Sequence, residues 1–295
     1  MTHFQGTITA LITPFRNGQL DIAALERLVE HQIQSGVDGL VPCGTTGESP
    51  TLSKDEHKRV VETVVRTARK RVPIIAGAGS NNTAEAVRLA REAQELGADG
   101  LLVVSPYYNR PTQEGLRLHF SAIAREVPLP IMLYNIPGRC GVEITVETIT
   151  RLRSEHANIV AVKHATGSVV GAADLVAACP SIDVLSGDDP ITWPLMALGA
   201  IGVVSVLSNL APRAIKALTS AALAGDAASA LRAHRATFAV GQSLLSLETN
   251  PGPIKTAMAM RGWCAEEFRL PMCPLRPENR AKLESLLKQN QSALE

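Results

Sequence analysis

The sequence predicts a (β/α)8 barrel with an appended C-terminal helical region, the barrel over residues 1–225 and the helical region over 226–295. Three observations predict it. Eight short apolar runs alternate with amphipathic segments. A unit of two glycines three residues apart, followed by an apolar run, recurs at Gly36–Gly39, Gly97–Gly100 and Gly199–Gly202, and reads as helix end, turn and buried strand. The chain is rich in small and aliphatic residues, and only 3% of it is aromatic, which suits helices packed tightly on a sheet.

In chain order, the strands are expected at 8–13, 39–42, 74–77, 101–104, 131–134, 159–163, 183–186 and 202–206. Parallel strands buried on both faces carry such continuous apolar runs. Helical spacing of apolar residues marks 23–34, 54–69, 84–96, 112–125 and 146–154, with Asp21, Ser53, Thr83 and Thr145 available as N-caps. The unit spacing fits two βα repeats between the first two glycine pairs and about four between the second and third. Beyond Val206 the chain turns alanine-rich and reads as helical through Leu287. Segments 211–225 and 226–247 are expected to be packing helices.

Composition narrows the function. The net charge is +1, without a run of one sign, so neither a nucleic-acid footprint nor a basic membrane face is indicated. Small molecules and further copies of the chain are the expected partners. Five scattered cysteines give no zinc or disulfide framework. With no leader at Met1–Gly6 and no membrane-length apolar run, the cytoplasm is the expected location. The histidines show no metal-ligand spacing, so no metal is expected. Neither a dinucleotide nor a phosphate-loop motif is present.

Lys163 closes the run Ile159–Val162, and an ammonium is costly at the end of a buried strand. Desolvation favours the neutral amine, which can attack a ketone to form a Schiff base; the plain alternative is a lysine that snorkels to solvent. In a barrel all strand C-termini share one mouth, so Lys163 should meet Thr45, Thr46, Tyr134, Arg139, Gly187 and Asp188. Gly44–Glu48 is a tight turn with two hydroxyls, suited to a carboxylate or to proton transfer, or a capped structural turn. Tyr134 could shuttle protons if Thr45 or Thr46 polarised it, or could anchor the rim of the core. Arg139, in a Pro-Gly turn, suits bidentate carboxylate binding. Tyr107 and Tyr108, between prolines, are suited to an interface. Cys43 and Cys140 flank the mouth and receive no catalytic role.

Together, Gly44–Ser49, Pro106–Pro111, Tyr134–Arg139, Val162–Lys163, Ala165–Gly167 and Ser186–Asp189 resemble the dihydrodipicolinate synthase family, within the pyruvate-dependent class I aldolases that include N-acetylneuraminate lyase. The resemblance spans nearly the whole chain. It implies that Lys163 forms an imine with pyruvate, whose enamine attacks L-aspartate 4-semialdehyde to give 4-hydroxy-tetrahydrodipicolinate, on the route to lysine and diaminopimelate, with no cofactor. It further implies a proton relay of Thr45, Tyr134 and Tyr108, the last from a neighbouring subunit of a homotetramer built as a dimer of dimers. Thr46 would hold the pyruvate carboxylate, Arg139 the semialdehyde carboxylate, and Val204 would place its carbonyl near the lysine. Ser49, His57, Asn81, Glu85 and Tyr107 match an allosteric lysine pocket.

Three positions depart from the family pattern: His164 stands where Glu or Asp is usual, Gly252 where a larger apolar residue is usual, and Lys54 where lysine-inhibited members carry His. Two other readings accompany the synthase: a pyruvate-dependent aldolase or hydratase-aldolase with a different aldehyde, and a catalytically silent homologue that binds pyruvate or lysine.

Overall fold

The computed structural model describes residues 4–294. Met1–His3 and Glu295, the outer ends of the two expected regions, lie outside the described residues. Eight parallel strands form the barrel: β1 (Gly6–Ala10), β2 (Gly39–Val41), β3 (Ile75–Gly77), β4 (Gly100–Val104), β5 (Ile131–Asn135), β6 (Ile159–His164), β7 (Asp183–Ser186) and β8 (Gly202–Ser205). β1 pairs with both β2 and β8. The ring closes between β2 and β3 through a parallel bridge, Leu40 to Ile74, and the hydrogen bond from Gly77 N to Pro42 O at 3.0 Å.

The first strand begins two residues before its expected start. Thr7 and Thr9 are fully buried, and their hydroxyls reach Thr219 Oγ1 at 2.8 Å and Gln32 Oε1 at 2.7 Å. Hydrogen-bonded threonines thus fill positions where an apolar pattern shows nothing.

Outer helices are α1 (Ile22–Gln34), α2 (Lys54–Ala68), α3 (Thr83–Glu95), α4 (Gln113–Glu126), α5 (Val146–Glu155), α6 (Val169–Ala178), α7 (Thr192–Ala197) and α8 (Pro212–Leu223). Asp21, Ser53 and Thr145 cap as expected, Ser53 within a full capping box with Glu56. The cap of α3 is Asn82, not Thr83: Asn82 Oδ1 accepts Ala84 N at 3.0 Å, while Thr83 Oγ1 lies 2.9 Å from His119 Nδ1. Helices α6 and α7 had no counterpart in the periodicity. In α6 Asp174 is the one charged residue, so its apolar stripe has little polar contrast.

The C-terminal region comprises α9 (Ala227–Ser246), α10 (Gly252–Met260), α11 (Pro277–Gln289) and α12 (Gln291–Leu294). It is not helical throughout. Residues 261–276 are irregular, and Pro271 and Pro274 lie within them. Ile254, Met258, Leu283 and Leu287 pack with Ile12, Leu28 and Val203 of the barrel in one apolar cluster. Among the described residues no helix is long and apolar enough to cross a membrane.

Polar contacts also cross the expected boundary at residue 225. Lys255 of α10, fully buried, places Nζ 2.6 Å from Glu48 Oε1 and 4.0 Å from the centroid of the Phe15 ring. Glu48 Oε2 accepts Arg269 N at 3.2 Å, and the Arg269 guanidinium holds Glu56 bidentately.

Removing one partner strands the other as a buried charge, so Glu48→Gln or Lys255→Met alone should each lower unfolding free energy by about 3–5 kcal/mol. The double variant should lose less than the sum, as measured by urea denaturation. Strictly additive losses would show that the two charges do not act as a unit.

Candidate active site

β6 is the strand on which the site is built. Pairing between β5 and β6 slips by one residue between Ile131 and Met132: Ile131 faces Ile159, but Met132 faces Ala161. Val160 and Ala161 then both pack inside the barrel, while Ile159 and Val162 join the outer core. The slip makes Lys163 the register partner of Tyr134, with both side chains inside. Lys163 Nζ lies 4.2 Å from the centroid of the Tyr134 ring, and both residues are 5% exposed. Val204 of β8 lies in the same interior cluster as Tyr134 and Leu185.

Lys163 therefore points into the barrel mouth and does not snorkel. The carboxyl groups near it come from the turn after β7. Burial pushes the Asp188 carboxyl above its ordinary range, and the Lys163 ammonium opposes that shift. Asp189 is raised for the same reason, although Ser205 Oγ, Val206 N and Leu207 N all donate to it. The turn at Gly187 admits no side chain, because a Cβ there would meet the Ala165 Cβ at 2.5 Å.

The Gly44–Glu48 turn is held at both ends by left-handed residues, Cys43 at φ 55° and Glu48 at φ 53°. Its close approach to β3 requires Gly77, since a Cβ there would lie 2.0 Å from the Cys43 carbonyl oxygen. Thr45 is half-buried and faces the mouth cavity. Among the described residues no hydrogen bond joins Thr45 to Tyr134. Thr46 is 3% exposed, and its Oγ1 accepts Asn250 Nδ2 at 3.1 Å.

Arg139 sits on a helical turn, Pro137–Cys140. Asn135 clamps the segment that follows this turn: its Nδ2 donates to Ile144 O and its Oδ1 accepts Ile144 N, both at 3.0 Å. Arg139 is exposed, with Nη2 donating to Asn250 O at 3.0 Å. Cys140 is buried beside it, and desolvation pushes its thiol up to about 11, as for an inert thiol. Tyr108 is brought into no such contact. It is 90% exposed, at φ 72°, on the loop after β4.

A cavity of about 360 Å³ runs from Thr45 and Arg139 at the mouth to His57, Lys54, Glu85 and Tyr107. Ser49 lines it as well, and Asn81 stands behind it, donating from Nδ2 to Tyr107 O at 3.1 Å. Arg88 pairs with Glu85 at 2.9 Å and Lys54 reaches it at 3.6 Å. Burial lowers the His57 pKa against the pull of the Gly77 carbonyl, which lies 2.9 Å from Nε2.

The model of the dihydrodipicolinate synthetase family matches residues 3–290. The chain belongs to this family. A 4-hydroxy-tetrahydrodipicolinate synthase of Geobacter sulfurreducens is 53% identical over 289 residues, covering 98% of this chain and 99% of that protein. Its counterpart from Geobacter metallireducens is 52% identical over 287 residues, covering 97% and 98%. The structure of the 4-hydroxy-tetrahydrodipicolinate synthase of Methylacidiphilum fumariolicum SolV superposes with a TM-score of 0.97 at 52% identity, covering 99% of this chain and 97% of that one. These relatives favour the synthase over the two other readings.

The structure gives His164 a place outside the mouth. It follows Lys163 on β6 and faces outward, where Nε2 lies 2.9 Å from Thr166 Oγ1 and 3.0 Å from Ser168 O. Ser168 in turn caps α6. The departure from the family pattern therefore falls in the support of a loop. Sequence reasoning missed Asn250, Glu48 and Lys255; a lysine inside the apolar segment Gly252–Met260 was the available signal for the last.

His164→Gln should leave borohydride trapping of pyruvate within about twofold of wild type, because the side chain faces away from Lys163, and should lower the thermal midpoint. A collapse of trapping with an unchanged midpoint would place His164 in the chemistry.

Proposed function

We propose that this chain condenses pyruvate with L-aspartate 4-semialdehyde through an imine on Lys163. The observation that carries the proposal is a buried lysine at the barrel mouth with its nitrogen over the Tyr134 ring. The Lys163 amine attacks C2 of pyruvate, and the ketone oxygen leaves as water after taking up two protons. Loss of a C3 proton gives the enamine. C3 then attacks the aldehyde carbon, whose oxygen gains a proton. The substrate's own amine attacks C2, the Lys163 amine leaves, and 4-hydroxy-tetrahydrodipicolinate is released.

The family resemblance supports the following roles. Tyr134 lies against the reacting nitrogen and moves protons to and from the departing oxygen, and Thr45, on the turn after β2, joins it in the relay. Thr46 receives the pyruvate carboxylate and Arg139 that of the semialdehyde. Val204 lines the interior near the lysine and offers its carbonyl. Tyr108, almost fully exposed on its own chain, completes the relay in a neighbour within a homotetramer in the cytoplasm. Ser49, His57, Asn81, Glu85 and Tyr107 form a regulatory site for lysine at the far end of the cavity that Thr45 and Arg139 line. Lys54 weakens it, because its ammonium already occupies the surroundings of Glu85.

Sodium borohydride with pyruvate should fix a reduced three-carbon adduct on Lys163, located by peptide mass mapping. Lys163→Ala should abolish the adduct. Arg139→Ala should keep it and raise the KM for the semialdehyde by about tenfold or more, since a charge-assisted contact is lost. Tyr108→Phe should slow turnover while trapping persists. An adduct on another residue, or a normal acceptor KM in Arg139→Ala, would defeat the corresponding assignment. Lys54→His should make the enzyme more sensitive to inhibition by free lysine; unchanged sensitivity would remove Lys54 as the cause.

A further inference from the structure

We propose that Asn250 is a positioning residue that aims the Thr46 hydroxyl at the carboxylate of the first substrate; this rests on the pyruvate reading above. A hydroxyl has one proton to give and can also accept. A carboxylate only accepts, so Thr46 serves it only if the proton is kept for the ligand. Asn250 Nδ2 donates to Thr46 Oγ1 at 3.1 Å, which occupies a lone pair of the hydroxyl and leaves its proton free for the mouth.

Burial makes the arrangement consequential. Thr46 is 3% exposed and Asn250 8% exposed, so little bulk water competes for either group. Asn250 Oδ1 is buried without a hydrogen-bond partner. A side chain kept only for structure would be expected to satisfy both ends of its amide, since an orphaned buried acceptor is costly. Here the satisfied end is the one that sets the polarity of Thr46.

The main chain of the same residue has a second task. Arg139 Nη2 donates to Asn250 O at 3.0 Å. Asn250 thus links Thr46 on the loop after β2 to Arg139 on the loop after β5, the two groups assigned to the two substrate carboxylates. The Arg139 contact uses a backbone carbonyl, so it survives exchange of the side chain. The two subsites can therefore be tested separately.

The test is steady-state kinetics of Asn250→Ala and Asn250→Asp, each also in a Thr46→Val background, with borohydride trapping and thermal melting alongside. Aspartate is nearly isosteric but can only accept, so it draws the Thr46 proton away from the substrate and adds a charge of the wrong sign. The KM for pyruvate should rise by about tenfold or more in Asn250→Asp and by less in Asn250→Ala. Changes in kcat and in the semialdehyde KM should be smaller. In the Thr46→Val background either change should add little, because the hydroxyl it acts through is gone.

A purely structural asparagine predicts the opposite order, with isosteric aspartate the milder change. That order, unmoved pyruvate KM values, equal shifts in the Thr46→Val background, or losses of kcat that track only the melting temperature would overturn the proposal. Absence of a pyruvate adduct in the wild type would instead defeat the imine reading. A wild-type adduct with unaltered pyruvate KM in both variants defeats only the role of Asn250.

Discussion

The buried ion pair between Glu48 and Lys255 is the contact on which the mouth depends. Neither side chain reaches solvent, and the charges sit 2.6 Å apart. Burial drives the Lys255 pKa down while Glu48 holds it up. Such a pair contributes little net stability, because desolvation offsets most of the attraction, but it tolerates few geometries. Glu48 closes the turn that carries Thr45 and Thr46, and Lys255 belongs to the helix just after Asn250. Fixing one distance therefore fixes the loop and the C-terminal region against each other, with the Phe15 ring 4.0 Å from the ammonium to exclude water.

A second constraint lies in the sheet. Without the slip between Ile131 and Met132, Tyr134 would pair with Val162, which faces the outer helices. The displaced register costs strand β6 its clean alternation, since Val160 and Ala161 both turn inward. In return the phenol and the amine occupy neighbouring positions on the same face. The irregularity thus positions Lys163 against Tyr134, and it accounts for the contact that the functional proposal rests on.

These two constraints also explain what the sequence could convey. The barrel was legible because parallel strands buried on both faces leave continuous apolar runs, and because the glycine turns recur ahead of them. Lys163, Tyr134 and Arg139 were legible because each stands at the end of such a run or in the turn just after it. The slip was not, since Ile159–Val162 reads as uniformly apolar in either register. Nor was Asn250: its partner Thr46 is 204 residues away, and its neighbours suggest only a turn. Helices α6 and α7 escaped for the related reason that periodicity needs polar contrast. His164 showed the converse. Beside Lys163 in sequence, it lies on the opposite face of the strand, as strand alternation requires.

The division of labour at the mouth follows from these placements. Lys163, the proposed nucleophile, belongs to a strand, with its nitrogen over the Tyr134 ring and next to the interior cluster that holds Leu185 and Val204. The proposed carboxylate receptors, Thr46 and Arg139, belong to loops, where hydroxyl and guanidinium donors can face a charged ligand. Strands alone would hold the first group well and the second poorly, because loops drift relative to the sheet that carries them. The C-terminal region supplies what the sheet cannot: Lys255 pins the first loop through Glu48, and Asn250 reaches from that loop to Arg139. A barrel without this region would lose the contacts that tie Thr46 and Arg139 to a common residue.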